Sequence, residues 1–153
     1  MKLVEKLNVN KKQMYFRIGL AILWMMVIFM LSSQNSDTSS STSGRILALI
    51  SQIIHYDLLT SPFVNTCQFI VRKCAHMFAY FLLGILWYRV FVLIKNHPYR
   101  WSALCTVLYA CSDEFHQLFV PGRAGQIRDV CIDSMGMLIG FIGIYFVKRI
   151  RGK

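Results

Sequence analysis

Apolar residues gather in four long blocks along the chain, at 14–31, 74–94, 101–120 and 130–147, with polar stretches between them. An apolar run of about 17–25 residues is long enough to cross a bilayer as a helix. The pattern therefore predicts an all-α integral membrane four-helix bundle formed by one domain over residues 1–153. The first block, with GLAILWMMVIFML, follows a basic start, but it is long and no A-x-A site comes after it. It reads as a retained helix rather than a signal peptide. After it comes SSQNSDTSSSTSG, a Ser/Thr-rich stretch that predicts a flexible outer linker at 32–44. Next, Ile46, Leu47, Leu49, Ile50, Ile53 and Ile54 fall on one helical face. This predicts an outer amphipathic helix, either lying on the membrane surface or packed on the bundle's outer end. Ser61-Pro62 reads as an N-cap followed by an N1 proline. In KNHPYR, Pro98 is expected to stop the second helix, and PGRAGQIRD reads as a turn between the third and fourth.

Composition agrees with the pattern. Of 153 residues, 56% are hydrophobic and 16% charged, against about 45–50% and about 25% in soluble domains. That excludes a disordered chain and argues against a water-soluble domain. The net charge of +10 raises the question of nucleic acid. The basic residues, however, stand at the ends of the apolar runs, so the partner is the lipid bilayer and not nucleic acid. With the N-terminus inside, the inner side holds Lys2, Lys6, Lys11, Lys12, Arg17, Arg89, Lys95, Arg100, Lys148, Arg149, Arg151 and Lys153, against Glu5 alone. The outer side holds Arg45, Arg72, Lys73, Arg123 and Arg128, against Asp37, Asp57, Asp113, Glu114, Asp129 and Asp133. The bias predicts a multi-pass protein with both termini cytoplasmic. The five cysteines have no disulfide spacing and read as small core hydrophobes.

Candidate chemistry gathers at one depth. Lys73, His76 and Tyr80 are spaced i, i+3, i+7, with Arg72 four residues before His76. Asp113, Glu114, His116 and Gln117 crowd the end of the third block, and Asp129, Asp133, Gly136 and Gly140 share a face of the fourth. Four carboxylates (Asp113, Glu114, Asp129, Asp133) meet four cations (Arg72, Lys73, Arg123, Arg128), and the sum is zero. A charge at a helix centre in lipid costs about 2.5–3.5 kcal/mol, so these faces are expected to turn inward around an outward-opening polar pocket. The plainer alternative is a set of ion pairs that locks helix register. The added histidines, Gln117 and Tyr80 favour a functional site. Arg72, Lys73, Arg123 and Arg128 suit a phosphate or carboxylate clamp. No HExxH, HxxxH or paired cysteine motif is present, so no metal ligands are assigned, and the sequence names no cofactor.

Three strings carry a resemblance: RKCAHMFAY (72–80), DEFHQLFVPGRAGQIRD (113–129), and Asp133, Gly136 and Gly140 spaced D-x-x-G-x-x-x-G. With the SSQ after the first block, they resemble the VanZ-like family of small bacterial membrane proteins, whose first member is tied to teicoplanin resistance. The family's polar signature falls here on Arg72, Lys73, His76, Tyr80, Asp113, Glu114, Gln117, Arg123, Asp129 and Gly136. Asp133 stands where the family usually has Asn. The resemblance implies an envelope protein of the bacterial cell membrane and leaves three readings. One is a shield against glycopeptide antibiotics that binds or alters wall precursors. Another is an enzyme on a lipid-linked phosphorylated envelope substrate. There Glu114 or Asp113 would serve as base, His76 or His116 as acid, and the cations would hold phosphate. The third is a small transporter or envelope sensor. It ranks last because the inner halves of the second and fourth blocks offer only apolar residues and glycine.

Overall fold

In the computed structural model, the backbone is described for residues 2–152 and the side chains for residues 11–152. Lys2, Glu5, Lys6 and Lys153, counted above for orientation, lie outside the described side chains. The described chain is all-helical. Its five helices are α1 (Lys2–Ser32), α2 (Ser36–Ile54), α3 (Val64–Phe91), α4 (Pro98–Gln117) and α5 (Ile127–Ile150). Helix α3 is central and touches each of the other four, while α1 and α5 do not meet among the described residues.

The helices are inside-out compared with those of a soluble bundle. α4 buries Ser102, Thr106, Ala110, Asp113, Glu114 and Gln117, and it exposes Trp101, Leu104, Leu108 and Phe115. α5 buries Asp129 and Asp133 and exposes Met135, Leu138, Ile139 and Ile142. Lipid-facing surfaces are expected to look like this, because hydrocarbon offers nothing to a polar group. Three segments are long and apolar enough to cross a membrane: Lys11–Ser32, Val64–Phe91 and Ile127–Ile150. α4, expected to span at 101–120, is not among them because its polar side is the buried one.

Two apolar clusters hold the bundle. Ile28, Tyr80, Leu83 and Ala110 form one, and Tyr88, Met137 and Phe141 form the other, nearer the basic end. Side chain to backbone hydrogen bonds lace the helices together. Trp24 Nε1 donates to the Ala79 carbonyl at 2.9 Å, and the Tyr109 hydroxyl to the Met25 carbonyl at 2.5 Å. Such interhelical bonds act as polar glue where no hydrophobic effect drives helices together. At the α3–α5 seam, a Cβ on Gly136 would run into the Met77 carbonyl, and one on Gly140 would come within 3.0 Å of the Phe81 carbonyl. The backbones meet here because these positions lack side chains. Gly136→Val is therefore expected to force α3 and α5 apart and to abolish or sharply reduce the folded yield in detergent. Overpacking of this kind costs about 1–3 kcal/mol even where neighbours can shift, and a backbone carbonyl cannot. A parental melting temperature would contradict this seam.

Several expectations from sequence need correction. Of the stretch expected as a flexible linker at 32–44, Ser32 closes α1, 33–35 turn the chain, and 36–44 are the first half of α2. Asn35 caps it, its Oδ1 accepting from Thr38 N at 2.9 Å. Ser39, Ser43 and Leu47 are buried, and α2 packs along α3. Small hydroxyl side chains let two helices approach, so a polar stretch with nothing apolar to bury is still ordered. In the second half of α2, Leu49, Ile53 and Ile54 face outward. α3 begins at Val64, just past the expected Ser61-Pro62 start, and Ser61 Oγ accepts from Phe63 N in the preceding turn. Pro98 opens α4 rather than stopping α3, which already ends at Phe91. The five cysteines are free, and Cys74, Cys111 and Cys131 face outward instead of filling a core.

Candidate functional site

At the end of the bundle away from the basic cluster, α2, α3, α4, α5 and the 118–126 loop enclose a polar cleft of about 190 Å³. α3 contributes Phe69, Arg72, Lys73 and His76, α4 contributes Glu114 and Gln117, and α5 contributes Arg128 and Asp129. Ser36 and Ser39 come from α2, and Arg123 and Gln126 from the loop. Gly122 turns that loop with φ of 73°, in the left-handed region that suits glycine. A Cβ there would also press on Ser36 at 2.8 Å.

Within the cleft one strong pair forms. Lys73 Nζ lies 2.5 Å from Asp129 Oδ2, joining α3 to α5. His76 Nδ1 is 3.9 Å from Asp133 Oδ1, too far for a hydrogen bond. Glu114 is held at both oxygens: Oε2 accepts from Gln126 N at 2.9 Å and Oε1 from Gln117 Nε2 at 3.3 Å. Arg72 donates to Ser40 Oγ at 3.1 Å. Arg128 sits over the Phe69 ring, 5.7 Å from its centre. Among the described residues, neither Arg72 nor Arg123 has a carboxylate within salt-bridge distance. Burial and the nearby Arg72 charge hold the Arg123 guanidinium below its ordinary pKa, against the opposing pull of Asp113 and Glu114.

Not every sequence candidate lines the cleft. Asp113, Asp133 and Tyr80 lie beneath it; Asp133 is 1% exposed and Tyr80 fully buried. Asp113 Oδ2 accepts from Ser32 Oγ at 2.8 Å, which ties α1 to α4. Asp113 Oδ1, Asp129 Oδ1, Asp133 Oδ2 and the Tyr80 hydroxyl are buried without a hydrogen-bond partner. His116 points to α1 instead, its ring tilted against Phe29 with centres 4.6 Å apart and its Nε2 3.1 Å from Ser33 Oγ. It is not among the residues that line the cleft, whereas His76 is. Among the described residues, no three His, Cys, Asp or Glu side chains are grouped to hold a metal.

The α2 serines and Gln126 were missed from sequence. A signal for the serines was present, because Ser36, Ser39, Ser43 and Leu47 are spaced i, i+3, i+7, i+11 on one helical face.

Chemically, the cleft offers three guanidiniums (Arg72, Arg123 and Arg128) with no carboxylate in salt-bridge distance among the described residues, an ammonium–carboxylate pair, a held carboxylate and an imidazole. That set suits an anion with several oxygens, since guanidinium groups grip phosphate or carboxylate in bidentate fashion. A family model described as VanZ/LLP1 matches residues 17–149. Compared with curated proteins and with solved structures, the chain matches none.

Proposed function

Because the chain belongs to the VanZ/LLP1 family, we propose that it is a bacterial cell-membrane protein whose cleft binds a phosphate-bearing envelope group. The output is altered handling of cell-wall precursors and tolerance of teicoplanin-type glycopeptides. The observation that carries this reading is the pair Arg72 and Arg123, which share a cleft without a counter-ion. Two like charges held together in a low-dielectric site attract an anion strongly.

The expected orientation supports an outward-facing cleft. α1, α3, α4 and α5 cross the membrane, with both termini in the cytoplasm, because Arg17, Arg89, Arg100, Lys148 and Arg149 collect at the opposite end. In a chain with its native cysteines replaced, Thr60→Cys is expected to react with an impermeant maleimide in intact cells, and Asn96→Cys only after lysis. The reverse pattern would turn the cleft to the cytoplasm.

The binding test is direct. Inorganic phosphate is expected to raise the melting temperature of the purified parent, because a ligand that binds only the folded state stabilises it by mass action. Arg72→Gln/Arg123→Gln should lose that response. A parent unmoved by phosphate, or a double variant that responds equally, would end the phosphate reading.

Catalysis on the bound group is the second reading. Glu114 and His76 both line the cleft beside the cations, as a general base and acid would. Transport is less favoured, because the cluster of Tyr88, Met137 and Phe141, with Tyr99 packed on it, fills the bundle on the basic side.

A further inference from the structure

A second cleft adjoins the first. It measures about 100 Å³, lies between α1, α2 and α3, and has Ile28, Leu31, Ile46, Val71, Ala75 and Ala79 in its wall. Arg72, Arg123, His76 and Ser39 line both clefts. Arg72 and Arg123 therefore stand at a seam, with polar side chains on one side and a mainly apolar wall on the other.

Depth matters here. Seventeen residues of α3 separate Arg72 from Arg89, and nineteen of α5 separate Asp129 from Lys148. At about 1.5 Å per residue these are about 26 Å and 29 Å of helix. A hydrocarbon core is about 30 Å thick, so the charges that line the cleft lie at the far edge of the hydrocarbon, within about 5 Å of its boundary. Exposed side chains at the same level agree: Phe29, Leu31, Phe69, Phe115, Leu118 and Phe119 form an apolar collar around the charges. Beyond them, α2 and the start of α3 continue as a hairpin that exposes Leu49, Ile53, Ile54 and Phe63. An apolar surface this extensive belongs against lipid or a partner, not water.

We propose that the two clefts form one amphiphile site, entered sideways from the bilayer by a lipid phosphate. The phosphate sits between Arg72 and Arg123, and its hydrocarbon chain lies in the α1–α2–α3 cleft. This inference rests on the phosphate reading above and adds the class of ligand. A free phosphate or a water-soluble ester would fill only the polar half and leave the apolar half unused.

The test compares a long-chain polyisoprenyl phosphate with inorganic phosphate, each titrated against the full chain in maltoside. Sharing of the micelle by lipid and protein, together with contacts of the chain in the cleft, is expected to tighten apparent binding by about 100-fold or more over inorganic phosphate. Ala75→Phe from α3 and Thr42→Phe from α2 both fill the apolar cleft without entering the polar one. Either folded variant should lose at least about tenfold in lipid-phosphate affinity and bind inorganic phosphate like the parent. If the lipid phosphate binds no tighter than inorganic phosphate, or if both fillers leave its affinity unchanged, the sideways site is wrong while the phosphate cleft stands. If the parent binds neither, the phosphate reading falls and this inference with it.

Discussion

Asp129→Asn is expected to destabilise the protein by about 3–5 kcal/mol, the usual cost of stranding one member of a buried ion pair. The partner left behind is Lys73, whose side chain is 24% exposed against 10% for Asp129. Lys73 would then share the cleft with Arg72, Arg123 and Arg128, with only Glu114 left among the lining carboxylates. The same substitution cuts a tie between α3 and α5, the two helices already pressed together at Gly136. Lys73→Gln/Asp129→Asn removes both charges and should recover at least half of the lost stability, because the large term is the unpaired charge and not the absent bond. Thermal melts in detergent, read beside membrane yield, test this. Singles that melt like the parent would mean that the pair is solvated and the cleft is not recessed.

Glu114→Gln is expected to leave the protein in the membrane at near-parental levels and to remove the glycopeptide tolerance proposed for it. Both oxygens of Glu114 accept hydrogen bonds, from Gln117 Nε2 and Gln126 N. A glutamine keeps an acceptor for the backbone N–H and discards a buried charge, which is costly to hold in an apolar setting. Stability should therefore change little, unlike at Asp129. Function should change greatly, since Glu114 is a cleft-lining carboxylate without a cation within salt-bridge distance among the described residues. If it acts as a general base, its loss removes a contribution of about 100- to 10,000-fold in rate. A variant with parental abundance and full phenotype would reduce Glu114 to a brace for the loop at Gln126.

The polar cluster was legible in the sequence because charges are rare in apolar helices. Arg72, Lys73 and His76 on one block, Glu114 and Gln117 on another and Asp129 on a third had to share one depth once the blocks were aligned. Which cation meets which carboxylate was not legible. Lys73 takes Asp129 while Arg72 turns to Ser40, and that depends on how α3 is rotated against α2 and α5. His116 shows the same limit. Two residues past Glu114 on one helix, it points about 200° away around the axis and ends on Phe29 of α1. α2 was misread for a different reason. Composition made its first half a linker, but a helix that packs through Ser39 and Ser43 needs no apolar face there. Only the spacing of its small residues carried the information. The resemblance reached the all-helical class, and Arg72, Lys73, His76, Glu114, Gln117, Arg123 and Asp129 of its signature line one cleft.

Arg72 and Arg123 are the most direct point of attack on the central claim, that this cleft is a binding site rather than a lock between helices. A lock would be disturbed by removing paired charges. Among the described residues neither has a carboxylate in salt-bridge distance, and the two repel each other, so Arg72→Gln/Arg123→Gln should leave the fold intact. The decisive measurement is the teicoplanin susceptibility of cells that lack the native gene and carry this double variant at parental membrane abundance. Susceptibility equal to that of cells with no copy at all is expected; tolerance equal to that conferred by the parent chain would make the cleft a lock and not a binding site.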